Sequence, residues 1–106
     1  MATLVNLTPH TLNLIAADGS IVDIQPSGNI ARVSSTSSIV ATVNGINISR
    51  QTFGKVMDLP DAQDDVVYIV SRMVKDRVPD RDDVVVPGVP FRDTDGKVIG
   101  AWGLSL

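Results

Sequence analysis

The sequence has no cysteine, no glutamate and a single histidine, His10, among its 106 residues. Without cysteine there is no disulfide framework, no thiolate nucleophile and no cysteine zinc site, and one histidine cannot build a multi-histidine metal cage. Apolar runs are short as well. None approaches the ~18 residues of a membrane helix, and the N-terminus lacks a charged segment followed by an apolar one. A cytoplasmic protein with no membrane partner is expected. Positive charge is in deficit, nine Lys and Arg against twelve acids, for a net charge of -3. That field repels phosphate backbones and anionic lipid, which argues against a general nucleic-acid or membrane-surface binder.

What is present points to strands. All twelve acids are Asp, which bonds its own backbone in turns, and Val, Ile and Thr fill 32 positions with the β-branched side chains that suit a pleated surface. With 43% hydrophobic and 20% charged residues the chain lies outside the compositions that stay disordered, and its length suits one domain, residues 1–106, with one core. The expected fold class is α+β, a β-rich single domain of mostly antiparallel strands with one short helix after a central strand.

Thr3 to Leu7 and Thr11 to Ala16 are β-prone runs divided by Thr8-Pro9-His10. Asp18-Gly19 reads as a hairpin turn with positive φ at both residues, returning through Ile21 to Ile24 until Pro26-Ser27-Gly28 breaks the strand. Ile30 to Val33 is a short strand candidate, and the serine-rich stretch 34–38 reads as a surface loop. Asn44-Gly45, flanked by Ile39 to Val43 and Ile46 to Phe53, is the strongest hairpin signal, of type I′. Val66 to Val70 is an uninterrupted run of strand formers, the pattern of a central strand buried on both faces. Ser71 can cap a helix over 71–78 with Val70, Val74 and Val78 on its apolar face and Lys75 and Asp76 turned outward. Val84 to Val86 is a strand closed by Pro87-Gly88, and the Asp93 to Gly96 turn precedes a strand over Lys97 to Ala101.

Three constellations carry potential chemistry. Asn6, Thr8 and His10, about Pro9, offer an amide, a hydroxyl and an imidazole that could bond a ligand or act as a general base, or else His10 and Thr8 simply cap the turn. Ser71-Arg72 at a helix start offers unpaired N–H groups and a guanidinium to a phosphate, although no glycine-rich fingerprint accompanies them. The third is Asp80-Arg81-Asp82-Asp83 with Arg92-Asp93-Thr94-Asp95-Gly96. It could hold a divalent ion, pair its own charges, or present Arg81 and Arg92 to an anion; a calcium loop would need a closing glutamate that the chain lacks. Among the four aromatics, Phe53 and Tyr68 read as core, while Phe91 and Trp102 are candidates for base stacking or for an interface. No nucleophile with a base and no cofactor fingerprint is present, so an enzyme is not expected and no cofactor is assigned.

The set Asn-Leu-Thr-Pro-His (6–10), Tyr-Ile-Val-Ser (68–71), Pro-Asp-Arg-Asp-Asp-Val (79–84) and Arg-Asp-x-x-Gly-x-Val-Ile-Gly (92–100) resembles a group of small proteins encoded in bacteriophages, prophages and actinobacterial genomes. The resemblance spans nearly the whole chain and departs at Ala101-Trp102-Gly103, where the group carries a basic or polar residue. It implies an accessory phage protein that acts as an inhibitor, sponge or adaptor. Two functions follow as expectations. One is sequestration of a small anionic, nucleotide-derived immune signal by Asn6, His10, Ser71, Arg72, Arg81, Arg92, Phe91 and Trp102. The other is a homo-oligomeric β protein that binds or inhibits a host protein.

Overall fold

The apolar run at 66–70 does form an interior strand. In the computed structural model, which describes residues 3–106, the elements in chain order are β1 (Thr3–Asn6), β2 (Leu12–Ile15), β3 (Ile21–Ile24), β4 (Arg32–Val43), β5 (Ile46–Met57), β6 (Val66–Ile69), α1 (Arg72–Arg77), β7 (Val84–Arg92) and β8 (Val98–Ser105). Six strands make one sheet in the order β1-β6-β7-β8-β2-β3, and β4 and β5 make a separate two-stranded sheet. β6 lies parallel to both neighbours, β1 and β7, whereas β2–β3, β4–β5 and β7–β8 are antiparallel and contain most of the paired residues. The domain is therefore β-rich and mostly antiparallel with one short helix after a central strand. Ile69 and Val70 are fully buried, and the core gathers Leu7, Ala31, Tyr68, Val70, Val74, Val84 and Val86.

The six-stranded sheet is curled. Laid flat, its edge strands β1 and β3 would be ~24 Å apart at ~4.8 Å per strand. Instead the Asn6 side chain at the end of β1 donates to the carbonyl of Ile24 at the end of β3, 3.0 Å away. Ser27 N–H donates to the Asn6 carbonyl and Ala31 N–H to that of Leu7. The segment after β3 thus meets the outer edge of β1 at its C-terminal end and closes a seam there.

Several local expectations are corrected. The serine-rich stretch 34–38 is not a loop but the middle of β4, because its backbone pairs residue by residue with β5 from Ser35↔Phe53 to Ser38↔Arg50. Pro87-Gly88 does not close a strand; β7 runs through to Arg92. Beyond Val85 one edge of β7 has no partner, so the ladder there asks for fewer donors and tolerates proline. A Cβ at Gly88 would fall on the Trp102 carbonyl oxygen, which is why glycine stands in the β7–β8 pairing. In the first hairpin only Gly19 has positive φ, not Asp18. Ser71 occupies the N-cap position but its side chain makes no capping bond, and the helix spans six residues. Lys75 is 5% exposed rather than outward, and its Nζ donates to the Arg81 carbonyl at 2.7 Å. Phe53 is half-buried on β5 beneath the Arg77 guanidinium, 5.3 Å from its ring centre, and is not in the core.

The Asn44-Gly45 turn forms as its sequence predicts, with φ of 53° and 78°. What it closes is unusual. β4 and β5, twelve residues each, make a ribbon about 40 Å long at ~3.4 Å per residue. Val33, Val56 and the following Leu59 root it against the core, and nearly everything beyond is exposed. This arm explains a molecule measuring 54 × 40 × 24 Å with a radius of gyration of 16.9 Å, against ~13 Å for a compact chain of ~100 residues.

Candidate functional site

Asn6 is 1% exposed, and its amide is fully committed within the chain. Nδ2 donates to the carbonyls of His10 at 2.8 Å and Ile24 at 3.0 Å, while Oδ1 accepts from the Thr8 N–H at 2.9 Å and the Thr8 hydroxyl at 2.6 Å. A primary amide has two donor hydrogens and two acceptor lone pairs, so no capacity is left for a ligand. Asn6 is the seam's staple. His10 is exposed, and with Leu12, Leu14, Pro90, Val98 and Ile99 it lines an apolar trough of about 500 Å³ that runs over β8 between β2 and β7.

The arginines do not converge. Arg81 grips Asp83 in a two-pronged ion pair, Nε to Oδ1 at 3.0 Å and Nη2 to Oδ2 at 2.6 Å, with both side chains largely buried. That guanidinium holds the Asp83 carboxyl below its usual range, and the carboxylate in turn raises the Arg81 pKa. With Lys75 on the Arg81 carbonyl, the pair ties α1 to the start of β7. Arg92 ends β7 and donates to the Gly96 carbonyl at 2.8 Å. Nine residues of extended chain put the two ends of β7 about 30 Å apart, so one anion cannot meet Arg81 and Arg92 together. Arg72 is exposed at the start of α1. It does share a concavity of about 430 Å³ with Trp102, Pro87, Val89 and Leu104. Ser71 lies instead in a smaller hollow beside Leu7, Pro9 and Met73. Phe91 meets Trp102 edge-to-face, centroids 5.3 Å apart and planes at 86°, which leaves the 53% exposed Trp102 as the aromatic open to solvent.

Among the described residues no group of three metal-capable side chains forms. Asp93 is occupied by its own turn, accepting from the N–H groups of Asp95 and Lys97, and Asp83 by Arg81. Asp18 likewise binds Ser20 through the hydroxyl and N–H, which lowers its pKa.

Comparison with protein-family models, with curated proteins and with solved structures finds no match to this chain. Its functional reading therefore rests on its own geometry.

The surface that sequence reasoning did not single out is the arm. The pairs Ala41↔Ile48 and Val43↔Ile46 stand two residues apart on one face of its tip, while the other face carries Thr42 and Asn47, joined by a 3.0 Å side-chain bond. Ile46 is 69% exposed, and Val43 and Ile48 are also solvent-facing. At the tip this alternation makes one face apolar, while on the other face Ile39, opposite Ser49, is also 62% exposed. The alternation was readable in Ala41-Thr42-Val43 and Ile46-Asn47-Ile48. No described residue of the body lies over the apolar face.

Proposed function

We propose that this chain is a non-enzymatic accessory protein of phage type that works by protein–protein contact, with the β4–β5 arm as its contact surface in a bacterial cytoplasm. One observation carries the reading: a ribbon about 40 Å long, rooted on the core through Val33 and Val56, presents Val43, Ile46 and Ile48 to solvent. Exposed, contiguous apolar surface on a small domain marks an interaction site, and two uncovered strand edges add backbone donors and acceptors to it. The absence of helices long and apolar enough to cross a membrane among the described residues is compatible with that setting. A photo-crosslinking amino acid placed at Ile46 in the producing bacterium tests it. Discrete protein adducts are expected from position 46 and none from Asp80, exposed in the turn between α1 and β7; no adduct from position 46 overturns the reading.

A second reading keeps one specific observation, the pairing of Arg72 with Trp102 around one concavity. A phosphate on Arg72 and a base against Trp102 would make it a sponge for a nucleotide-derived signal. Calorimetry with cyclic dinucleotides, cyclic oligonucleotides and ADP-ribose derivatives decides it. Binding must weaken at least ~10-fold in Arg72→Ala with the melting temperature unchanged, and failure of the whole panel on the unaltered protein ends this reading.

A further inference from the structure

We infer that the arm's apolar face is covered by the body of a second copy of this chain, the two copies exchanging arms so that Ile46 and Ile48 of each seat in the trough over β8 of the other. The inference rests on the protein-contact reading and names its partner.

Charge is the first support. The arm, Arg32–Met57, holds Arg32, Arg50 and Lys55 and no acid, while the rest of the chain holds six cations and twelve acids. Two arms laid against each other would bring like charge together, and an arm laid on a body brings opposite charge together. The match is also local. Arg50 stands two residues from Ile48 on the same face. The β2–β3 hairpin that walls the trough carries Asp18 and Asp23 and no Lys or Arg. The trough floor is apolar, formed by Leu12, Leu14, Val98 and Ile99, and so matches the isoleucines of the tip.

Area is the second support. Beyond its root the arm is about 34 Å long and about 10 Å wide, so one face covers roughly 340 Å². A one-sided contact, counting arm and acceptor, would bury roughly 700 Å², the size of incidental contacts, whereas reciprocal exchange doubles this to roughly 1,400 Å², within the range of stable interfaces. A two-fold arrangement satisfies both arms at once and leaves no free acceptor to propagate a chain. Cover also answers a stability problem, since a two-stranded ribbon alone in water is marginal.

The cysteine-free sequence makes the test clean. Ile46→Cys and Ile99→Cys proteins are prepared separately, mixed at 50 µM or so, and oxidised gently. The expected product is the mixed 46–99 disulfide dimer, formed faster than either homodimer. The unaltered chain should sediment as a dimer at the same concentration, and Ile46→Asp with Ile48→Asp should weaken the dimer at least ~100-fold while the circular dichroism spectrum holds. Faster 46–46 crosslinking means that arms pair with each other and overturns the inference. So does an 11.3 kDa species that forms no mixed disulfide. In that last case discrete adducts from position 46 to an identified host protein leave the protein-contact reading standing, and their absence removes both.

Discussion

Substituting Asn6 tests whether this residue is a staple or a ligand-binding group. Asn6→Ala removes four hydrogen bonds at a site 1% exposed. The carbonyls of His10 and Ile24 are part-buried and can take up water. The buried Thr8 N–H loses its acceptor at ~1 to 3 kcal/mol, while the Thr8 hydroxyl keeps the His10 carbonyl within reach at 3.2 Å. The loss should therefore be about 1 to 3 kcal/mol, a sizeable share of the ~5 to 15 kcal/mol available to a domain of this kind. Because ~1 kcal/mol moves the melting point of a ~100-residue domain by ~4 to 8 °C, the fall should be roughly 4 to 24 °C. Asn6→Asp separates the two halves of the amide. It keeps an acceptor for Thr8 but turns an oxygen toward two carbonyls, so at neutral pH it should be at least as damaging. That deficit should shrink as pH falls, because a carboxyl whose charged form is disfavoured in the folded state takes up a proton it can then donate. Urea and thermal melts from pH 3 to 8 measure all of this. A loss below ~1 kcal/mol in Asn6→Ala would refute the staple and return the amide to the list of ligand contacts.

Ile69→Ala, at a fully buried position in the central strand, should cost ~2 to 5 kcal/mol in urea unfolding, and a loss below ~1 kcal/mol would move β6 out of the core. Gly88→Ala should destabilise β7–β8 because its methyl meets the Trp102 carbonyl; an unchanged melting temperature would show that the strands separate easily there. The Arg81–Asp83 pair holds the Asp83 carboxyl below its usual 3.8. Its stabilisation is thus present above that pH and lost as pH falls through the lowered value. Between pH 5 and 3 the melting temperature should drop more steeply in the unaltered protein than in Asp83→Asn, and equal slopes would contradict the pairing.

Elements set by local chemistry were readable in the sequence. Asn44-Gly45 specifies its own turn, and Val66 to Val70 has no polar face to expose, so a hairpin and a buried strand follow from the residues alone. Elements set by a distant partner were not. Serine has little liking for strands, yet 34–38 is strand because β5 supplies its hydrogen bonds. Pro87 looked like a stop because its missing N–H matters only where a neighbour needs it, and beyond Val85 none does. Lys75 falls on the polar side of the helix by spacing alone, and only the distant Arg81 carbonyl at its ammonium draws it inward. Site residues divide the same way. Arg72 and Trp102 share a concavity because β6 and β8 flank β7, whereas the length of β7, hidden by its prolines, keeps Arg81 from Arg92. The short helix and seam explain why Asn6 and Ser71, both plausible ligand groups by type, face inward or into different hollows.

Amide hydrogen exchange across residues 34–52, followed at 1 µM and again at 200 µM or so, tests the arm's role most directly. A covered ribbon exchanges slowly when its partner is bound and quickly when it is not, so protection at Ile46 to Arg50 should rise with protein concentration while Ile69 and Val70 in the core stay unchanged. An arm that exchanges freely at both concentrations would contradict the account, because the face carrying Ile46 and Ile48 would then be bare in solution.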